Sequence, residues 1–385
     1  MAVLVWLAGA GVTISLLYYA AASIAAVRFA RRLASPAPPL PKIAPRVAVL
    51  KPLHGLSHSL AENLVSYLEL GYPRAEFFFG ISSYNDPAAG VPVALKERYQ
   101  FAPITLIVGE EPGCVNLKVA KLIRMAARAA KDEIFVVSDA DVAVDRGHLR
   151  RLVGELAADE KTGVVTCLYR AQPLGGFAAR LEALFVNTDF APMVMLSSAI
   201  EPIRYALGAT IAVKREALEA IGGFRALKDV LADDYYLGKM AADHGYKVKL
   251  STSLVTITCE ERCFADFWNH QLRWARTYRT TRPVSLATIL LHGPFWALVL
   301  LLASGFNPLA LGALALVIAA RIGMAALLVV RILRLRECAR DLWIVPLKDL
   351  VMTGIWFTSL ASNKVSWAGR RLRILADGTM HELRD

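Results

Sequence analysis

Residues 134–141 read Ile134-Phe135-Val136-Val137-Ser138-Asp139-Ala140-Asp141. A short run of aromatic and β-branched residues with no polar alternation predicts a strand buried on both faces, as in a parallel sheet. Two carboxylates one residue apart follow at once, where the strand must turn. In open α/β sheets ligands bind just beyond the carboxyl ends of the strands. Asp139 and Asp141 therefore fix both the fold class and the edge on which to look for chemistry.

Outward from this stretch, strand and helix signals alternate. Residues 47–51, 77–82 and 104–108 are β-rich; residues 59–69, 91–99 and 116–130 carry helical patterns. Runs 163–169 and 210–213 continue the alternation. This order predicts an α/β domain with a mostly parallel sheet and helices on both faces. The Pro-rich segment 35–45 reads as an extended linker. Asp86 lies just past the strand ending at Ser82 and falls on the same ligand edge as Asp139.

The chain has 385 residues, a formal charge of +11 and 56% hydrophobic residues, above the usual share for soluble domains. Its basic residues cluster beside apolar segments without interleaved aromatics, which argues for anionic headgroups rather than nucleic acid. The five cysteines are odd in number and contain no CxxC pair, which fits a reducing, cytosolic setting. The first apolar run, residues 2–29, ends in Arg28, Arg31 and Arg32 and reads as a retained membrane anchor with the following domain in the cytosol. Three further apolar stretches, 286–305, 308–333 and 342–360, are long enough to cross a bilayer. The last is interrupted by Pro346, Lys348 and Asp349. Three crossings would leave the tail outside, whereas Lys364, Arg370, Arg371 and Arg373 favour the cytosol; the sequence leaves this conflict open. The expected division is an anchor (1–32), a cytosolic catalytic domain with interfacial helices (33–283), membrane segments (284–363) and a basic tail (364–385).

Four clusters carry the chemistry. Asp139 and Asp141 suit Mg²⁺ or Mn²⁺ bridging a diphosphate, since such ions take one or two protein carboxylates and complete their shell with phosphate and water. Asp86, in Asn85-Asp86-Pro87, is either a turn residue or an acceptor for a nucleotide's base or ribose. Asp233-Asp234 opens a helical run; one aspartate suffices as a helix cap, and the second can be a base that deprotonates a hydroxyl. Residues 264–279 include His270, Gln271, Arg273 and Trp274, on a basic amphipathic helix suited to a membrane surface; Arg273 also fits diphosphate recognition. Lys118 is a solvated lysine or a second cation for phosphate. The run 190–200 is too short to span and is read equally as a core helix or as a lip that admits a lipid.

In this order and spacing the clusters resemble the ceramide glucosyltransferases, glycosyltransferase family 21, over nearly the whole chain. Lys51-Pro52-Leu53-His54-Gly55 resembles the family's KPLKG, Glu69-Leu70-Gly71-Tyr72-Pro73 its ELDYP, Asn85-Asp86-Pro87-Ala88 its DDPA and Asn116-Leu117-Lys118 its NPK. Asp139 falls on the second family aspartate and Asp234 on the third, the expected base. The Q/RxxRW motif falls on His270, Gln271, Leu272, Arg273 and Trp274, with His270 departing from Gln or Arg. Asp141 is a further departure and gives a fuller DxD. Val365-Ser366-Trp367 and Arg370 resemble the family's tail. The resemblance implies the GT-A fold, a UDP-sugar donor, a β linkage formed by inversion and a membrane lipid acceptor. Two acceptors stay open: ceramide, receiving glucose, and a bacterial hopanoid, bacteriohopanetetrol, receiving N-acetylglucosamine.

The expected protein is thus an inverting, metal-dependent glycosyltransferase of the bacterial inner membrane. Asp234 is the expected catalytic base, with Asp233, His270 and Gln271 in support. Asp86, Lys118, Asp139, Arg273 and Trp274 are the expected donor-binding residues, and Asp139 and Asp141 the expected metal ligands. A processive polysaccharide synthase would need more spans for a channel. A non-catalytic scaffold would have lost a carboxylate cluster, and a tethered nucleotide sensor would not need Asp234.

Overall fold

The computed structural model describes residues 1–383. Arg384 and Asp385, the end of the tail, lie outside the described residues. The chain packs as two compact units, one made of Met1–Arg32, Arg170–Ile200 and Cys259–Trp367, the other of Leu33–Tyr169, Glu201–Thr258 and Ala368–Asp385.

The second unit holds a seven-stranded sheet. Its strands are β1 (Val47–Pro52), β2 (Ala75–Ile81), β3 (Ile104–Val108), β4 (Ile134–Ser138), β5 (Thr162–Thr166), β6 (Thr210–Lys214) and β7 (Lys247–Leu250). Their order is β3-β2-β1-β4-β6-β5-β7. β1 pairs parallel with both β2 and β4, with Val47 opposite Ala75 and Ile134. β6 is the exception: it runs antiparallel to β4 and to β5. The sheet is mostly parallel, as the continuous apolar runs predict, and every residue of β1 and β4 is buried. The reversal at β6 has a consequence for chemistry. The start of β6 faces the end of β4, with Thr210 opposite Ser138, so residues just before β6 join the carboxyl-end edge.

The first unit contains the apolar helices. Ala2–Leu33, Phe177–Ile200 and Pro308–Ile332 are each long and apolar enough to cross a membrane, and Pro283–Leu291 with Gly293–Ala303 form a pair bent by 57° that qualifies together. The run 190–200 is thus the second half of a longer helix, joined to Phe177–Phe185 through a π-helical turn at Val186–Phe190. The expected span at 342–360 is different. Residues Arg336–Ile344 form a 3₁₀ helix, and Val345–Leu360 is a 16-residue helix, about 24 Å long, short of a ~30 Å hydrocarbon core. Its Lys348 and Asp349 are buried: Lys348 sits 2.7 Å from Asp349 and also pairs with Asp189, and Arg321 reaches Asp349 at 2.7 Å and Asp189 at 3.0 Å. Two cations and two anions cancel, which lets charges remain in an apolar setting.

Hydrogen bonds within the sheet unit join chain segments on either side of the apolar helices. Phe177–Ile200 is flanked by β5 and β6, which pair at Val164–Val213. One crossing would put these partners on opposite sides of a bilayer, so this helix does not cross alone. The tail likewise returns to the sheet unit, where Met380 N donates to Asp229 O at 2.7 Å. The tail is thus part of the sheet unit.

Candidate active site

Asp139 leaves the end of β4 with its backbone N–H donating to Ala209 O at 3.2 Å, which ties the acidic turn to the segment before β6. Lys118 stands in the first turn of the helix Leu117–Arg128, whose N-cap is Asn116. Lys118 Nζ reaches Asp139 Oδ1 at 2.7 Å and Asp233 Oδ2 at 3.4 Å. Asn116 locks that helix start in place. Its Oδ1 accepts from Val119 N at 3.1 Å, and its Nδ2 donates to Val230 O at 2.9 Å and to Asp233 Oδ1 at 3.4 Å.

Asp233 and Asp234 occupy the first turn of the helix Asp233–Asp243, where neither caps it; the N-cap is Ala232. Their charge suits the positive helix end, but the cap itself does not explain them. Gly208 supplies the missing geometry. A Cβ there would sit 3.1 Å from Asp234 Oδ2 and 3.7 Å from Asp139 Oδ2. Both carboxylates thus face one small gap that a glycine keeps open. Burial, reinforced by Asp233 and opposed by Lys118, pushes the Asp234 carboxyl up to about 6. Lys118 stays charged: burial works against its ammonium, but Asp139 and Asp233 more than offset it and hold its pKa above the ordinary lysine value. A base with a pKa near neutrality beside a fixed cation is suited to accept a proton from a hydroxyl.

Lys51 lies beneath the acidic turn, fully buried. Its Nζ donates to Ser138 Oγ at 3.3 Å and to Val142 O at 3.2 Å, so it brackets residues 139–141 from both ends. Tyr67 also donates to Ser138 Oγ, at 2.7 Å. Burial pulls the Lys51 ammonium down to about 7 despite Asp141 and Asp139. Asp141 is half-buried and its backbone carbonyl accepts from Thr258 N at 3.2 Å.

Asp86, past the end of β2, caps the turn Pro87–Ala89. Its Oδ1 accepts from Ala88 N and Gly55 N, each at 2.9 Å, and its Oδ2 lies 3.4 Å from His54 Nδ1. The turn role and the binding role are compatible, since Oδ2 accepts neither of these backbone N–H groups. Asp86 is on the same sheet edge as Asp139.

Arg273, Trp274, His270 and Gln271 share the helix Phe264–Thr281 in the unit of apolar helices. Trp274 is packed edge-on by Phe185, Phe190, His270 and Tyr278, with ring centroids 5.4–6.0 Å apart. Gln271 Nε2 donates to Glu182 Oε1 at 2.8 Å, and His270 Nδ1 lies 3.0 Å from the same oxygen. Burial works against the His270 charge, but Glu182 and Glu261 outweigh it and hold the imidazole up to about 9. Glu182 and Glu261 carried no motif that marked them. Gly208 was equally silent, and Lys51 stood out only as the first residue of a family-like motif, because only the fold shows what surrounds them.

The residues on the sheet edge fit a divalent cation of the Mg²⁺ or Mn²⁺ kind. Asp139 and Asp141 offer hard oxygen ligands, Asp139 is 37% exposed at its side chain, and its Oδ2 faces the gap over Gly208.

The sequence profile of glycosyl transferase family 21 matches residues 10–380. The chain belongs to glycosyl transferase family 21. Within this family, it is similar to ceramide glucosyltransferase 3 of Caenorhabditis elegans, 25% identical over 232 residues that make up 60% of this chain and 50% of that protein. Ceramide glucosyltransferase 1 of the same nematode is 26% identical over 232 residues, covering 60% of this chain and 49% of that one. The chain spans about half the length of these curated relatives. In structure, this family 21 chain is similar to the mannosyltransferase PcManGT from Pyrobaculum calidifontis, solved in complex with GDP-Man and Mn²⁺, with a TM-score of 0.52 and 22% identity over 92% of this chain and 99% of that one. The shared architecture is the GT-A fold.

Proposed function

We propose that the protein transfers glucose from UDP-glucose to the primary hydroxyl of ceramide, with inversion at the anomeric carbon. The observation that carries this reading is the convergence of Asp139 Oδ2 and Asp234 Oδ2 on the gap over Gly208, with Lys118 beside them. Asp234 takes the proton of the acceptor hydroxyl as its oxygen attacks the anomeric carbon. The sugar–phosphate bond breaks and its electron pair leaves with the β-phosphate of UDP. Lys118 neutralises charge on the diphosphate and Asp86 receives the uridine; for Arg273 and Trp274 the support is the family motif alone. Asp139 and Asp141 would hold Mg²⁺ or Mn²⁺, which offsets leaving-group charge when bound. The ceramide relatives and the long apolar helices support a membrane lipid as acceptor. The proposed setting is the bacterial inner membrane, with the sheet unit facing the cytosol.

The test is a transfer assay on the full chain in detergent. UDP-glucose and UDP-N-acetylglucosamine are each offered with ceramide and with bacteriohopanetetrol. Glucosylceramide as the main product supports the reading; a hopanoid product replaces the acceptor; no transfer with any pair overturns it.

A further inference from the structure

The imidazole of His270 and the carboxylates of Glu182 and Glu261 converge within the unit of apolar helices. His270 Nδ1 lies 3.0 Å from Glu182 Oε1 and 3.6 Å from Glu261 Oε1. One ligand atom from each of the three lies within 4.8 Å of the others, the one such group of three among the described residues. Ligands at about 2.0–2.1 Å from a tetrahedral Zn²⁺ stand about 3.3–3.4 Å apart. The two measured separations bracket that value.

A second observation concerns what the cluster lacks. Glu182 Oε2, Glu261 Oε2 and Gln271 Oε1 are buried and have no hydrogen-bond partner. Glu182 is only 2% exposed and Gln271 only 1%. The Gln271 amide nitrogen already donates to Glu182 Oε1, which orients that side chain against the cluster. Three buried acceptor oxygens around one imidazole therefore lack a donor, and a buried polar group left unsatisfied is expensive. The cluster has more ligand oxygens than donors to satisfy them.

We propose that His270, Glu182 and Glu261 form a second divalent-cation site, separate from Asp139 and Asp141. Its imidazole nitrogen favours Zn²⁺ over Mg²⁺, Ca²⁺ and Mn²⁺, which suit oxygen ligands. Gln271 Oε1 or water fills the remaining position. Glu182 belongs to the helix Phe177–Ile200, and Glu261 precedes the helix that carries His270. The cation therefore ties the helix bearing Arg273 and Trp274 to its neighbour. The site exists here because His270 stands where the family motif has Gln or Arg.

The experiment measures metal content on tag-free, full-length protein in detergent, stripped with EDTA and dialysed against Zn²⁺ or Mn²⁺. An Asp139→Asn/Asp141→Asn background removes the sheet-edge ligands. The proposal predicts that this background retains about one equivalent of metal by elemental mass spectrometry and that the metal raises its melting temperature. His270→Gln, which installs a residue the family motif accommodates, abolishes both, and so does Glu261→Gln. Retention of no metal by the background, or full retention by both variants, overturns the proposal.

Discussion

Lys118 Nζ and Asp139 Oδ1 lie 2.7 Å apart, an ion pair on the same carboxylate whose other oxygen faces the gap over Gly208. Asp139 is thus held by one cation while presenting a free lone-pair face to the ligand edge. Lys118 also touches Asp233 and so couples the strand-end turn to the helix that carries Asp234.

Removing that cation is expected to weaken donor binding and to misplace Asp139. A charge-assisted hydrogen bond contributes about 1.5–3 kcal/mol, or roughly ten- to a hundredfold. Lys118→Met is expected to raise KM for the UDP-sugar by that order and to lower the melting temperature, because Asp139 and Asp233 lose their counter-charge. Steady-state kinetics at varied donor concentration check it.

The Asp234 carboxyl, pushed up to about 6, is expected to set the acid limb of activity. Only its ionised form accepts a proton, so kcat is expected to fall as pH drops through about 6. Asp234→Asn is expected to lower kcat by about 10²–10⁴. Stability moves the other way. A carboxyl whose folded pKa is raised contributes stability that is full below its unfolded value near 3.8 and lost as pH rises through about 6. Asp234→Asn is therefore expected to melt higher than the wild type at pH 7.5 and to be indistinguishable from it near pH 3.5. Melting curves at the two pH values check the sign.

The tail braces the approach to Asp234. Met380 N donates to Asp229 O at 2.7 Å, Val230 bridges Thr379, and Tyr236 Oη donates to Asp377 O at 2.6 Å. Gly378 has φ +85° and a Cβ there would fall 2.0 Å from Tyr236 Oη, so both conformation and space require glycine. Gly378→Ala is expected to cut kcat at least tenfold while donor KM changes less than threefold. Tyr236→Phe, which removes only the hydrogen bond, is expected to cost about 0.5–1.5 kcal/mol of stability. Kinetics and chemical denaturation separate the two effects.

Asp349 sits between Arg321 and Lys348. Asp349→Ala leaves two buried cations with only Asp189 and is expected to cost about 3–5 kcal/mol. Thermal unfolding in detergent reads this, together with a loss of monodisperse protein on size exclusion.

The sheet was legible because β1 and β4 are unbroken apolar runs, and their ends placed Asp86 and Asp139 on one edge. The reversal of β6 was not legible: Thr210–Lys214 has the composition of its neighbours, and direction comes from the connection rather than the strand. The helix Phe177–Ile200 was read only in its second half, because Arg180, Glu182 and Asp189 break the apolar run; Glu182 and Asp189 instead engage partners inside the unit. Lys348 and Asp349 weakened the segment 342–360 as a span for the right reason, a charge that needs a partner. The partners, Arg321 and Asp189, are far away in sequence. Gly208 could not be singled out among 25 glycines, since its role is the room it leaves for two distant carboxylates.

The central claim is that Asp234 acts as the base in a direct, inverting displacement. The most direct test is the anomeric configuration of the lipid product formed from UDP-α-glucose, read by proton NMR, for the wild type and for Asp234→Asn. The wild type is expected to give a β-linked product, and the variant a yield reduced at least a hundredfold. An α-linked product, or a variant as active as the wild type, would contradict it.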